Sequence, residues 1–133
     1  MRVLLLAMAV WVAGLGARAE PAADIQTVID GQFEAFAKDD LDRAYGFASP
    51  MIQSYFPTPQ IFGRLVQDKY PVIWTARTVT YLGLRQEGAR MIERVQVIGA
   101  DGALGQFDYE MIEVDGKWRI NGVWPVKTDS VGV

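Results

Sequence analysis

The period of the apolar residues changes once along the chain, near Trp74, and that change restricts the possible folds more than any other feature. Before it, apolar residues recur every three to four positions, as on a helix buried along one side. After it they alternate, as on a strand with one covered face. Ile25, Val28, Ile29, Phe33, Phe36 and Ala37 predict a helix over 24–37 opened by Asp24, with Asp30 and Glu34 on its wet face. Asp39 or Asp40 caps a second, shorter helix with the stripe Leu41, Ala44, Tyr45 and Ala48. It ends before Ser49-Pro50, because the residue ahead of a proline avoids the helical region. Thr58 as N-cap and Pro59 at the first helical position open a third helix. This one turns Ile61, Phe62, Leu65 and Val66 inward and stops near Tyr70-Pro71.

Strands are predicted over 78–86, 90–98, 104–114 and 117–124, joined by a tight turn at Glu87-Gly88, a loop over 99–102 and a hairpin at Asp115-Gly116. Helices first and an antiparallel meander last is the α+β pattern: three N-terminal helices packed on a curved antiparallel sheet of about four strands. If Asp115-Gly116 is a two-residue loop, Phe107 faces Trp124, Tyr109 faces Gly122, Met111 faces Ile120 and Glu113 faces Trp118. These form an aromatic and apolar face, while Asp108, Glu110, Ile112, Arg119, Asn121 and Val123 occupy the other.

Residues 1–19 have the layout of a secretory signal: Arg2, an apolar run from Val3 to Gly16, and the small-x-small triplet Ala17-Arg18-Ala19. The run is shorter than the roughly 20 residues that span a bilayer, so cleavage between Ala19 and Glu20 is expected rather than a lasting membrane anchor. A single domain over 20–133, periplasmic or secreted, would remain. Removing the leader takes away two of the 13 basic residues and none of the 16 acidic ones, moving the net charge from −3 to −5. That balance speaks against a nucleic-acid binder, whose affinity comes from neutralising phosphates. The absence of cysteine excludes a lipid-anchored lipoprotein and leaves the domain to stand on its core alone.

Three segments, IQTVIDGQFEAFAKDDLDRAYGFASPMI, PQIFGRLVQDKYPVIW and WRINGVWPV, resemble a secreted bacterial family, the domain of unknown function 4864. The helices-then-meander order is similar to the nuclear transport factor 2-like superfamily (the SnoaL-like, cystatin-like cone), in which sheet and helices enclose a cavity. That likeness implies the fold over most of 24–126. It leaves activity open, since the superfamily holds isomerases, dehydratases and cyclases beside non-catalytic binders. Its enzymes use an aspartate or an aspartate–histidine pair in the cone, often with a tyrosine as acid.

With no histidine and no cysteine, the chain has neither the groups for His-based catalysis nor those for the usual transition-metal sites, and no cofactor is expected. Carboxylates and phenols remain. Glu93 shares a strand face with Met91 and Val95, opposite Leu82 if the preceding turn is Glu87-Gly88, and is the first candidate for a pocket carboxylate. It would be either a base, with Tyr109 as acid, or a structural partner of an arginine or tyrosine. Glu113 belongs at the rim. Tyr45, Tyr55, Tyr70, Trp74 and Tyr109, with Glu93, could line a ligand cavity; the plainer reading is that such aromatics fill the space between sheet and helices. Arg85, Arg90 and Arg94 fall on one face with Tyr81 and Ile92, as a solvated stripe, an anion site, or a homodimer contact in which Asp108 and Glu110 supply the opposite charge. The reading favoured is a non-catalytic binder of a small apolar or amphipathic ligand or a protein partner. The alternatives are an isomerase or dehydratase built on Glu93 and a tyrosine, and a dimeric module working through the outer sheet face.

Overall fold

The computed structural model describes residues 21–127; the predicted leader and its cleavage site at Ala19-Glu20 lie outside the described residues. Helix α1 (Pro21–Ala37) starts three residues before the expected position and buries Ile25, Ile29, Phe33 and Phe36. Helix α2 (Leu41–Gly46) is capped by Asp40, whose carboxylate accepts from the Arg43 amide at 3.2 Å. Its Leu41 packs 2.6 Å from where a Cβ on Gly63 would lie, so a side chain at that position of the next long helix would have to push the leucine methyls aside.

That helix, α4 (Pro59–Lys69), follows the six-residue α3 (Pro50–Tyr55) and is followed by the one-turn α5 (Pro71–Trp74). There are therefore five helices among the described residues rather than three. The preceding helix stops at Gly46, before Ser49-Pro50 as expected but short of Ala48, and Ser49-Pro50 begins another: Ser49 Oγ accepts from the Ile52 amide at 3.3 Å and Pro50 takes the first turn. Tyr70-Pro71 does the same for α5. In α4, Phe62 and Val66 are buried as expected, whereas Ile61 is exposed.

Strands β1 (Ala76–Glu87), β2 (Arg90–Gly99), β3 (Leu104–Val114) and β4 (Lys117–Pro125) form one antiparallel sheet in that order. Asp115 and Gly116 both have positive φ, 51° and 77°, the signature of a type I′ hairpin turn. The first hairpin turns at Gly88-Ala89, one residue later than expected, with Glu87 paired to Arg90 and Gly88 at φ 63°.

Two of the three register shifts in the sheet, the third being between Ala76 and Thr78, reset which side chains face inward near the site. With the turn at Gly88-Ala89, Leu84, not Leu82, lies opposite Glu93, and beyond that pair the register of β1 shifts between Tyr81 and Gly83. Tyr81 consequently turns to the helix side, where its hydroxyl donates to Gln26 O at 3.1 Å, and it is not part of the arginine face. In β4 the pairs Glu113–Trp118 and Met111–Ile120 hold, but Asn121 is an extra residue. Beyond it Tyr109 faces Val123 and Phe107 faces Pro125. Val123 joins the core and Trp124 moves out opposite Asp108, half exposed, the reverse of the unbroken alternation.

The core lies between α1, α4, α5 and the inner sheet face: Ile25, Ile29, Phe33 and Phe36 meet Val95, Val97, Phe107, Tyr109 and Met111. On the other face Asp108 accepts from Arg94 Nε at 3.0 Å and from Arg85 Nη2 at 3.1 Å. Arg90 pairs with Glu110, which also accepts from Asn121 Nδ2 at 2.7 Å. The three arginines thus find their acids within one sheet, and a homodimer through this face would rest on other contacts. The open edge of β4 is met by the α2–α3 link: Ser49 N donates to Ile120 O and Ile120 N to Phe47 O, both at 2.8 Å.

Candidate functional site

Because α3 buries none of its own residues, it stands off the sheet as a wall, and a cavity of about 500 Å³ opens between it, α4 and the end of β4. Tyr45 fixes that wall: its hydroxyl donates to Phe56 O at 2.6 Å and lies 3.2 Å from Gln53 O, tying α2 to the end of α3. The Gln53 amide reciprocates to Tyr45 O at 3.0 Å. Phe62 and Val66 from α4, Phe56 after α3 and Phe36 from α1 supply the apolar sides. Tyr109 and Ile120 reach the cavity from the sheet, and Met51, Tyr55 and Trp124 surround the mouth, Tyr55 being 71% exposed. Lys69 is the one charged residue that lines it.

Of the six residues expected to line a ligand cavity, the structure brings Tyr55, Tyr70 and Tyr109 to this wall. Tyr70 packs edge-on to Phe107, with ring centroids 6.0 Å apart, and its hydroxyl donates to Val123 O at 3.2 Å. Tyr45 is occupied in holding α3, and Trp74 packs on Phe36 at 5.5 Å rather than on the wall. Glu93 is also off the wall. It is 1% exposed and stands against α1, where Gln26 Nε2 approaches its Oε1 at a long 3.5 Å. Among the described residues no arginine pairs with it. Burial pushes its carboxyl above the ordinary value of 4.5, opposed by the Gln26 amide.

Tyr109 lies directly across from Glu93 in the β2–β3 register. Its ring packs 6.0 Å from Phe33, it is fully buried, and among the described residues its hydroxyl has no partner; neither has Glu93 Oε2. Burial, and then the neighbouring Tyr70 hydroxyl, holds the Tyr109 phenol well above its usual range, so it stays protonated. Tyr81 is likewise raised by burial and by its hydrogen bond to Asp30.

Most of the wall escaped the site reading, although Phe62, Leu65 and Val66 were expected to point inward. The apolar stripe of α4 was their signal, but a stripe says only that a face is covered, not whether side chain or open space covers it. Among the described residues there is no cluster of three acids that could hold a metal, and no helix is long and apolar enough to cross a membrane.

Comparison with known proteins agrees with this architecture. The family model described as "Domain of unknown function (DUF4864)" matches residues 18–133, and the chain belongs to that family. No curated protein matches. Among solved structures the chain is similar to an NTF-2-like protein of unknown function from Shewanella oneidensis MR-1, with 16% identity and a TM-score of 0.54, covering 79% of this chain and 98% of that one. It is also similar to a SEC-C motif containing protein from Rhodopseudomonas palustris, with 16% identity and a TM-score of 0.56, over 84% of this chain and 85% of that one. At such identities the likeness is one of fold, here the nuclear transport factor 2-like α+β fold.

Proposed function

We propose that this DUF4864 protein is an exported, non-catalytic binding module whose cavity takes a small apolar or amphipathic molecule. The cavity itself carries the reading: about 500 Å³ lined mainly by aliphatic and aromatic side chains, with a few tyrosines and one lysine among them. That volume lies within the roughly 300–1,000 Å³ of ordinary ligand pockets. A general base must touch the proton it removes, and no carboxylate lines this wall. Glu93 stands behind it, so the acid–base alternative lacks its base at the cavity.

Export is supported by the leader-like run ahead of the domain and by a family match that starts only at Arg18, within the small-x-small triplet, so that nearly all of the run lies outside it. The full chain, expressed with its own N-terminus, should be recovered from the periplasmic or secreted fraction beginning at Glu20. Intact mass of the recovered protein decides this; a retained leader removes the export reading.

Binding is tested by equilibrium dialysis with 2-ethylnaphthalene, an uncharged probe of suitable size. Saturable one-to-one binding, abolished by Val66→Trp in a folded variant, is expected. Absence of binding, together with no co-purifying molecule in native mass spectrometry, would remove the ligand reading.

A further inference from the structure

Along α4 the residues that border the cavity are Phe62, Leu65, Val66 and Lys69, one stripe at spacings of three and four. Lys69 carries the cavity-facing side of the helix one turn further and is itself exposed. Its apolar stem therefore extends the wall while its ammonium stands in water at the mouth. Asp68 falls on another side of the helix and does not border the cavity, nor does any other carboxylate. Among the described residues no acid pairs with Lys69.

The neutral polar groups of the same lining differ in kind. Gln32 Nε2 donates to Ala44 O at 3.1 Å and the Tyr70 hydroxyl to Val123 O, while Asn121 is engaged with Glu110 and Ser49. The Tyr109 hydroxyl is enclosed, and Tyr55 belongs to the rim. Whatever bonding capacity these groups retain serves a neutral or an anionic oxygen alike, because none of them is charged. Lys69 alone distinguishes ligands by the sign of their charge. An ionised group placed deeper would lose its hydration and meet no counter-charge. At the mouth it keeps its water and gains the ammonium. Three of the six large apolar residues left exposed in the described fold, Met51, Tyr55 and Trp124, surround that same mouth, where an emerging tail would cover them.

Taking the cavity as a ligand site, we infer that it selects a single-chain amphiphile with an anionic head, the tail lying between α3, α4 and β4 and the head outside it beside Lys69. Lys69 is then the specificity-determining residue. A lysine in a last helical turn also complements the helix dipole, a role that the sign of a ligand's charge does not touch.

Three probes sharing one tail test this on the full chain by calorimetry: decanoate, decanol and decyltrimethylammonium. Decanoate should bind more tightly than decyltrimethylammonium and displace 2-ethylnaphthalene. Lys69→Gln should weaken decanoate about threefold and Lys69→Glu about tenfold, the scale of an exposed ion pair gained or reversed. Lys69→Glu should also strengthen decyltrimethylammonium, and neither variant should move decanol. Raising the salt should shrink the preference for the anion. Carbon NMR of carboxyl-labelled decanoate supplies a readout that needs no variant: the bound head should titrate at or below its free pKa, as it does beside a cation in water. A raised pKa would put the head inside the cavity and overturn the inference. Equal losses for decanoate and decanol in the Lys69 variants, or tighter binding of the cation to the wild type, overturn it too, and the cavity then remains an apolar site indifferent to charge. If neither these probes nor 2-ethylnaphthalene bind the folded protein, the ligand reading itself fails and the inference fails with it.

Discussion

Glu93 and Tyr109 face each other across β2 and β3, both are buried, and among the described residues neither Glu93 Oε2 nor the Tyr109 hydroxyl has a partner. Two such groups side be side in a domain without disulfides lower its stability, because each has left water with its hydrogen bonding incomplete. The paired position also separates two roles that a strand reading merges. Tyr109 borders the cavity, whereas Glu93 does not and faces α1 through Gln26.

Tyr109→Phe should therefore stabilise the protein by about 1 kcal/mol, since it removes an unpaired hydroxyl and keeps the ring against Phe33. Urea denaturation of the ligand-free protein measures this. A loss of more than about 1 kcal/mol would mean that the hydroxyl is satisfied after all.

Glu93 makes stability depend on pH in an unusual direction for a carboxylate. Its pKa in the fold is raised above the ordinary 4.5 by burial, so the folded state binds the proton more tightly than the unfolded chain. The associated stability is fully present below the unfolded value and is lost as pH rises through the folded value. Each unit of that upward shift costs about 1.4 kcal/mol once the group is ionised. Glu93→Gln keeps the shape and an acceptor toward Gln26 while removing the titration. The stability difference between variant and wild type should widen in favour of glutamine from pH 4 to pH 8. Parallel stability–pH curves would refute the assignment.

Two acids on the outer face should behave differently although both pair with arginines. Asp108 is held below the usual carboxylate range first by its hydrogen bond to Arg94, against the effect of partial burial, and then by Arg85. Its stabilisation is present above the unfolded pKa and is lost as pH falls through the folded value. Both arginines are largely exposed, so Asp108→Asn should cost only about 0.5–1 kcal/mol and less in high salt. Glu110, nearly enclosed, accepts from Arg90 and from Asn121, whose own side-chain oxygen receives Ser49 Oγ at 2.7 Å. Arg90 is itself half exposed, so what Glu110→Ala loses is chiefly the enclosed hydrogen bond to Asn121 and the chain behind it, about 1–3 kcal/mol with less salt dependence than at Asp108. Equal costs measured by denaturation at low and high salt would contradict the distinction.

How far the chain could be read depended on how locally each feature was written. The long helices and four strands were visible because each repeats its period over several turns or pairs, and Asp115-Gly116 fixes its own turn through two positive φ angles. Helices α3 and α5 show no apolar stripe, since α3 buries none of its residues and α5 only Ile73, and their prolines read as stops as readily as starts. The bulges at Leu82 and Asn121 left no such mark, and each inverted the side chains beyond it, carrying Tyr81 and Val123 inward and Trp124 outward. The cavity is a property of the space left by α3, so Tyr55, Tyr70 and Tyr109 could be suspected as polar aromatics but not separated from Tyr45 and Trp74.

The β4 bulge makes a further position informative. The ring of Trp124 lies over Gly122, where a Cβ would meet it at 2.2–2.4 Å. Gly122→Ala must therefore move the indole, which stands at the mouth of the cavity. We expect a loss of about 1–3 kcal/mol, a change in tryptophan emission, and weaker retention of 2-ethylnaphthalene. Unchanged emission would show that the ring does not rest there.

A void and a packed core respond oppositely to added volume, which makes the cavity testable without any ligand. Val66 borders the open space, whereas Val95 lies in the sheet core beneath α1 and does not line it. Val66→Phe adds a ring that can extend into the cavity, replacing open space with contacts, so its stability should change by less than about 1 kcal/mol or rise. Val95→Phe has nowhere to place the same ring and should cost about 3 kcal/mol or more. Thermal and urea unfolding of the two variants decides the matter. Similar large losses in both would mean that α3 and α4 close onto β4 in solution, leaving no room for a guest beside Tyr109.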